Sequence, residues 1–203
     1  MASENKCATG RQRLIDATLI CLGTEGFHRS SVRKIAAAAG VTPGLVKYHF
    51  EHKREMLVES FHHHNRKRLQ WYLDEAAKAG ADPAKQMAAF IRCILNFFEL
   101  DKIQKNIWVN FMEMILTDDD FLEEHAAQYD RYLRIMSGWI TGIHRGRGES
   151  LPPDEADKLA IGVMSVIDGL WLECALNPSR MAPDDALEIA LDMISARIGV
   201  SFA

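Results

Sequence analysis

Between Arg11 and Thr24, positions Leu14, Ile15, Thr18, Leu19 and Leu22 recur three and four residues apart. That spacing predicts one helix with a single inward face, stopped at Gly26. Ser31 is suited to cap a second, short helix, with Val32, Ile35, Ala36 and Ala39 as its inner stripe and Gly40 as its stop. Its small alanines let another helix cross closely. Thr42 can cap a third helix, and Pro43 fits that helix's first position, where no amide donor is needed. Val41, Leu45 and Val46 anchor this helix in a small core, and it ends near Phe50. Two short helices joined by a glycine-containing turn form a helix-turn-helix.

The helical period continues down the chain. A long helix covers Glu55 to about Lys78 and ends at Gly80. Further helices are expected over Ala84–Leu100, over Ile103–Leu116, and from Phe121 to about His144. After the loop RGRGESLPPD, Asp154 can cap a helix running to about Leu176, and a last helix spans about Asp185 to Ile198. Strand alternation, internal repeats and low-complexity tracts are not found. The expected fold class is all-α with about nine helices, three of them in an N-terminal helix-turn-helix domain.

Composition adds a core and a charge asymmetry. The chain has 203 residues, 48% of them hydrophobic, with a formal net charge of −4. Residues 1–54 hold nine Lys and Arg against four acids, while the remainder holds fifteen against twenty-four. A basic head on an acidic body is the distribution expected of a nucleic-acid reader joined to another module. The four cysteines lie far apart with no CxxC, which fits neither a zinc site nor a disulfide framework. The first ten residues have no apolar signal core, and the apolar run Leu159–Ile167 is too short to span a bilayer. A reducing cytoplasm without membrane association is the expected setting.

The stretch GVTPGLVKYHFEHK, residues 40 to 53, carries the candidate chemistry. In a helix-turn-helix the second helix enters the major groove, with its N-terminal residues nearest the bases. Thr42 can offer a hydroxyl to a phosphate beside Pro43, and Gly44 leaves room for the groove wall. Lys47 is the leading candidate for a base or phosphate contact. Tyr48 and His49 suit phosphate hydrogen bonding. Lys53 can grip the flanking backbone, and Ser31, Arg33 and Lys34 can touch phosphates from the neighbouring helix. Val46 and Phe50 should face inward.

The block SSVRKIAAAAGVTPGLVKYHFEHKREML resembles the DNA-binding signature of the TetR family of bacterial transcriptional regulators, a likeness that covers about residues 10–60. Lys34 departs from it, since the family more often has an acid there. The resemblance implies an all-helical homodimer that binds a near-palindromic double-stranded DNA operator and represses transcription. It also implies a division into a DNA-binding domain, 1–54, and a helical ligand-sensing and dimerisation domain, 55–203. Two further strings, IWVNFMEM and VIDGLWLECAL, are similar to choline-sensing members of the family that control glycine betaine synthesis. That likeness implies a small-molecule inducer of quaternary ammonium type, with another inducer left open. Such a cation is held by aromatic faces, often with a carboxylate. Trp108, Phe111, Tyr132, Trp139 and Trp171 are the available aromatics, and Glu113, Asp168 and Glu173 the available carboxylates. Trp108 and Phe111 are the preferred pair, whereas Trp171 and Asp168 can instead belong to a subunit contact. The family expectation of a four-helix dimer interface falls on Ile161, Met164, Ile167, Leu170, Trp171 and Cys174, with Leu187, Ala190, Leu191 and Ile194. An internal core face would show the same period.

A di-iron carboxylate enzyme is the competing reading, because a helical bundle can house paired Glu-x-x-His motifs. Glu25–His28 and Glu59–His62 have that spacing, but the first is interrupted by Gly26. His62, His63 and His64 are adjacent, so on a helix they point in different directions and cannot share one ion. With no nucleophile elbow, P-loop or dinucleotide fingerprint, neither enzymatic activity nor a cofactor is expected.

Overall fold

The computed structural model describes residues 10–96 and 102–202. Among these residues all regular structure is helical: α1 (Gly10–Glu25), α2 (Val32–Ala38), α3 (Pro43–His49), α4 (Lys53–Lys78), α5 (Pro83–Asn96), α6 (Lys102–Thr117), α7 (Asp119–Gly146), α8 (Pro153–Leu176) and α9 (Pro183–Ile198). Residues 97–100, expected as the end of a helix, lie outside the described residues.

Turn chemistry sets the breaks. Gly26, Gly40 and Gly80 have φ of +81°, +62° and +90°, a left-handed region that side chains bearing a Cβ disfavour. Ser31 caps α2 by accepting the Lys34 amide at 3.3 Å. Two expected caps are corrected. Thr42 stands at the N-cap of α3 but its side chain accepts no cap bond; Pro43 needs none at that position. The N-cap of α8 is Pro152 rather than Asp154, which falls inside the first turn, where its charge suits the helix dipole.

The chain forms two compact units. One takes the chain up to Lys67 together with Asp101–His125; the other takes Arg68–Leu100 and Ala126–Ala203. In the first unit, α1, α2 and α3 close on Leu14, Ile35, Ala36, Val46, Phe50 and Met56. A second cluster joins Leu22 and Phe61 to Phe111, Met114, Ile115 and Phe121. Within this unit α6 lies directly on the end of α1, and a Cβ on Gly23 would sit 2.3 Å from the Ile103 Cγ2. In the second unit α5, α8 and α9 pack together. Arg147 closes α9 by donating to the carbonyls of Ile198 at 3.0 Å and Gly199 at 2.5 Å.

Candidate functional site

The α3 helix is built as a reading element on an apolar base. Val46 and Phe50 are buried while Thr42, Pro43, Gly44, Lys47 and Tyr48 face solvent, and Tyr48 is 81% exposed. A large aromatic left mostly in water on a seven-residue helix contributes little to the core. His49 is half-buried and edge-on to Tyr48, with ring centres 5.0 Å apart. A Cβ on Gly44 would meet nothing closer than the Thr42 hydroxyl at 3.8 Å, so internal packing does not require glycine there. Ser31, Arg33 and Lys34 are exposed along the start of α2.

Much of the basic head is engaged inside the protein. Arg11 pairs with Glu59 at 2.7 Å and lies 5.0 Å from the Phe50 ring centre. The Arg11 bond holds the Glu59 carboxyl below its ordinary range. Arg13 donates to the Ala39 and Gly40 carbonyls and so finishes α2. Lys34 pairs with Glu25, which answers the charge that departs from the family pattern. Arg54 is tied to Asp118 and Asp120. Lys53 is half-buried, its Nζ 4.5 Å from the Phe27 ring centre. Charge counting over residues 1–54 therefore overstates what faces a ligand; Arg29, Arg33 and Lys47 are exposed.

The candidate ligand residues fall in both units. In the first, Phe111 is buried, with Phe61 at 4.6 Å and Phe121 at 6.2 Å between ring centres. Trp108 is half-buried on the same helix, and the exposed Glu113 lies 3.5 Å from His28. In the second, Phe90 is the centre of a ring cluster, 5.9 Å from Tyr132 and 5.1 Å from Trp139. The Trp139 indole donates to Gln86 at 2.9 Å and lines an open groove of about 480 Å³ that also holds Arg134. Asp168 and the buried Trp171 lie three residues apart on α8. Crowding by protein pushes the Asp168 carboxyl up to about 6, with Arg68 pulling the other way. Asp168 also raises the Tyr129 phenol, an effect second to burial, so these groups share one neighbourhood.

The histidine run divides as its helical spacing requires. His62 Nδ1 is 3.0 Å from Glu124, His63 Nε2 is 3.1 Å from Gln12 and 3.8 Å from Asp16, and His64 lies beside Phe111. Among the described residues no three metal-ligating side chains converge.

Sequence reasoning did not find the contact between α6 and the end of α1. Asn106 donates to the Gly23 carbonyl at 2.9 Å. Asn110 accepts the Phe27 amide at 2.7 Å and reaches the Leu22 carbonyl at 3.4 Å. Asn106 and Asn110, four residues apart and so on one side of a helix that also carries Ile103, Ile107 and Phe111, were the available signal.

Comparison with known proteins matches both parts of the chain. Residues 14–59 match the family described as bacterial regulatory proteins, tetR family, and residues 83–199 match the BetI-type transcriptional repressor C-terminal family. The chain is 27% identical over 198 residues to the HTH-type transcriptional regulator BetI 1 of Chromohalobacter salexigens, covering 94% of this chain and 91% of that one. It is 26% identical over 195 residues to BetI of Serratia proteamaculans, covering 93% and 92%. Among solved structures, a transcriptional regulator of Pseudomonas aeruginosa PAO1 superposes with a TM-score of 0.80 at 26% identity, over 95% of this chain and 91% of that one. A regulator from Saccharomonospora viridis, solved in complex with choline, superposes with a TM-score of 0.77 at 18% identity over 91% and 95%.

Proposed function

We propose a function from one premise: this chain belongs to the TetR family of bacterial regulatory proteins, and its C-terminal part is that of a BetI-type transcriptional repressor. It is a ligand-responsive DNA-binding repressor rather than an enzyme. The reading assigns residues 1–54 to DNA binding, 55–203 to sensing and dimerisation, and the work to the cytoplasm, where the operator is.

The observation that carries the DNA reading is the exposed face of α3. Lys47 and Tyr48 project from a helix anchored by Val46 and Phe50. In this reading Lys47 contacts bases or phosphate, and Thr42, Pro43 and Gly44 admit the groove wall. Tyr48, His49, Ser31, Arg33, Lys34 and Lys53 meet the backbone. Two heads of a homodimer then enter successive major grooves about 34–36 Å apart, which requires a near-palindromic operator. Lys47→Ala or Tyr48→Ala should weaken operator binding about tenfold in a gel-shift titration while the protein stays folded. Unchanged affinity in both variants would remove α3 from the interface.

The ligand in this reading is a small quaternary ammonium such as choline. A cation without an N–H donor needs ring faces and a nearby negative charge. In the second unit Tyr132, Trp139 and Trp171 supply rings and Asp168 the charge. The choline complex of the Saccharomonospora viridis relative supports this ligand class on the same fold. In the first unit, Trp108 and Glu113 stay in the proposal, and Phe111 is best read as a wall because other rings pack against it. Titration calorimetry with choline chloride should give a saturable heat that Asp168→Asn reduces at least tenfold. No heat at millimolar choline would exclude this ligand.

A further inference from the structure

Lys53 opens α4, and its ammonium is turned back onto the protein. Nζ lies 4.5 Å from the Phe27 ring centre and 3.4 Å from the Phe27 carbonyl oxygen. Withdrawal from water lowers the pKa of this amine. Phe27 is itself held in place. Its amide donates to Asn110 at 2.7 Å, and it follows Gly26, whose φ of +81° makes the turn out of α1. Beside it opens a cleft of about 320 Å³ floored by Leu57, Met114 and Phe121, with Lys53 at its edge.

The Phe27 carbonyl takes one of the ammonium's three donors and the ring covers one side of it, so a phosphate must compete with the protein for Lys53. We propose that Phe27 is a latch on Lys53: its ring and carbonyl hold the ammonium away from DNA, and each phosphate contact by Lys53 competes with that hold. The latch belongs to more than the head, because Asn110 fastens Phe27 to α6. Any ligand that shifts α6 would therefore tighten or loosen the hold on Lys53. The inference rests on the reading that Lys53 meets phosphate, and the experiment separates the two.

Phosphate contacts do not depend on sequence, so binding can be followed by fluorescence anisotropy on a random duplex of about 30 base pairs across a salt series. Lys53→Met should weaken binding and reduce the slope of log K against log salt by about 0.9, the value for one lost phosphate contact. Phe27→Leu removes the ring and should tighten binding about 2–5-fold, the size of an exposed cation–π contact. Phe27→Trp strengthens the ring's attraction and should weaken binding about twofold, which also covers the case in which the leucine variant folds poorly. In a Lys53→Met background neither change at Phe27 should alter affinity. If Lys53→Met leaves affinity and slope intact, the phosphate reading of Lys53 fails. If Lys53→Met behaves as expected but the Phe27 variants do nothing, or act equally without the lysine, the latch is overturned.

Discussion

Arg13 donates at 2.5 and 3.2 Å to two carbonyls at the end of α2, and Arg11 spans from Glu59 to the Phe50 ring. Both count as positive charge in the sequence, yet both act as internal fasteners. The residues left for a phosphate backbone are fewer and lie on α3 and the start of α2. Asp168 shows the opposite case, a charge whose surroundings work against it. Asp168 as a residue is open to solvent, yet the protein around its carboxyl pushes it up to about 6, with Arg68 opposing the rise. If Asp168 holds the cation as proposed, choline affinity should climb as pH rises through about 6 and level off above neutrality, read by calorimetry across a pH series. The Asp168→Asn protein should show no such rise. Stability runs the other way. A carboxyl raised in the folded state contributes stability below the ordinary carboxylate range, and that contribution is lost as pH climbs through about 6. None of this was legible in the sequence, because a pKa depends on neighbours brought in from α4 and α7.

At the scale of elements, hydrophobic period and turn residues were sufficient to locate the helices. Period could not assign the faces of α8 and α9. Met164, Ile167, Trp171, Leu187, Ala190 and Ile194, expected at a subunit contact, are buried inside the chain. Ile161, Leu172, Leu176, Ile189 and Met193 are the apolar positions left open. Both sets repeat at helical spacing, so only the packing partner distinguishes them. Caps were legible only in part: Ser31 caps α2 as expected, whereas Thr42 and Asp154 have capping chemistry but not the required geometry. The α6 asparagines matter most at this scale. A helix leaves its last carbonyls without intrahelical donors; Asn106 donates to the Gly23 carbonyl, and Asn110 adds a second donor to that of Leu22, which already accepts the Gly26 amide. Asn110→Ala strands the Phe27 amide and should cost about 1–3 kcal/mol, seen as a lowered thermal midpoint.

At the scale of the whole molecule, α8 and α9 present apolar side chains to solvent. Among the described residues α8 is the one helix long and apolar enough to cross a membrane by length and composition. Its inner face packs on α5 and α9 in the second unit, however, and Ile161, Leu172 and Leu176 are left open. A helix apolar on two sides is suited to sit between its own chain and another copy. Leu176 is 67% exposed at the end of that helix. Leu176→Glu should shift a homodimer toward monomer in light scattering after size exclusion. With one head per particle, it should also lose most of its operator affinity.

The hold of α6 on α1 bears on how such regulators can be recombined. The reader ends its first helix on donors that lie 83 residues further along the chain. A hybrid joining residues 1–54 to a sensor taken from elsewhere would set those carbonyls against an unrelated α6. Transplanting this head intact means transplanting two asparagines of the sensor along with it.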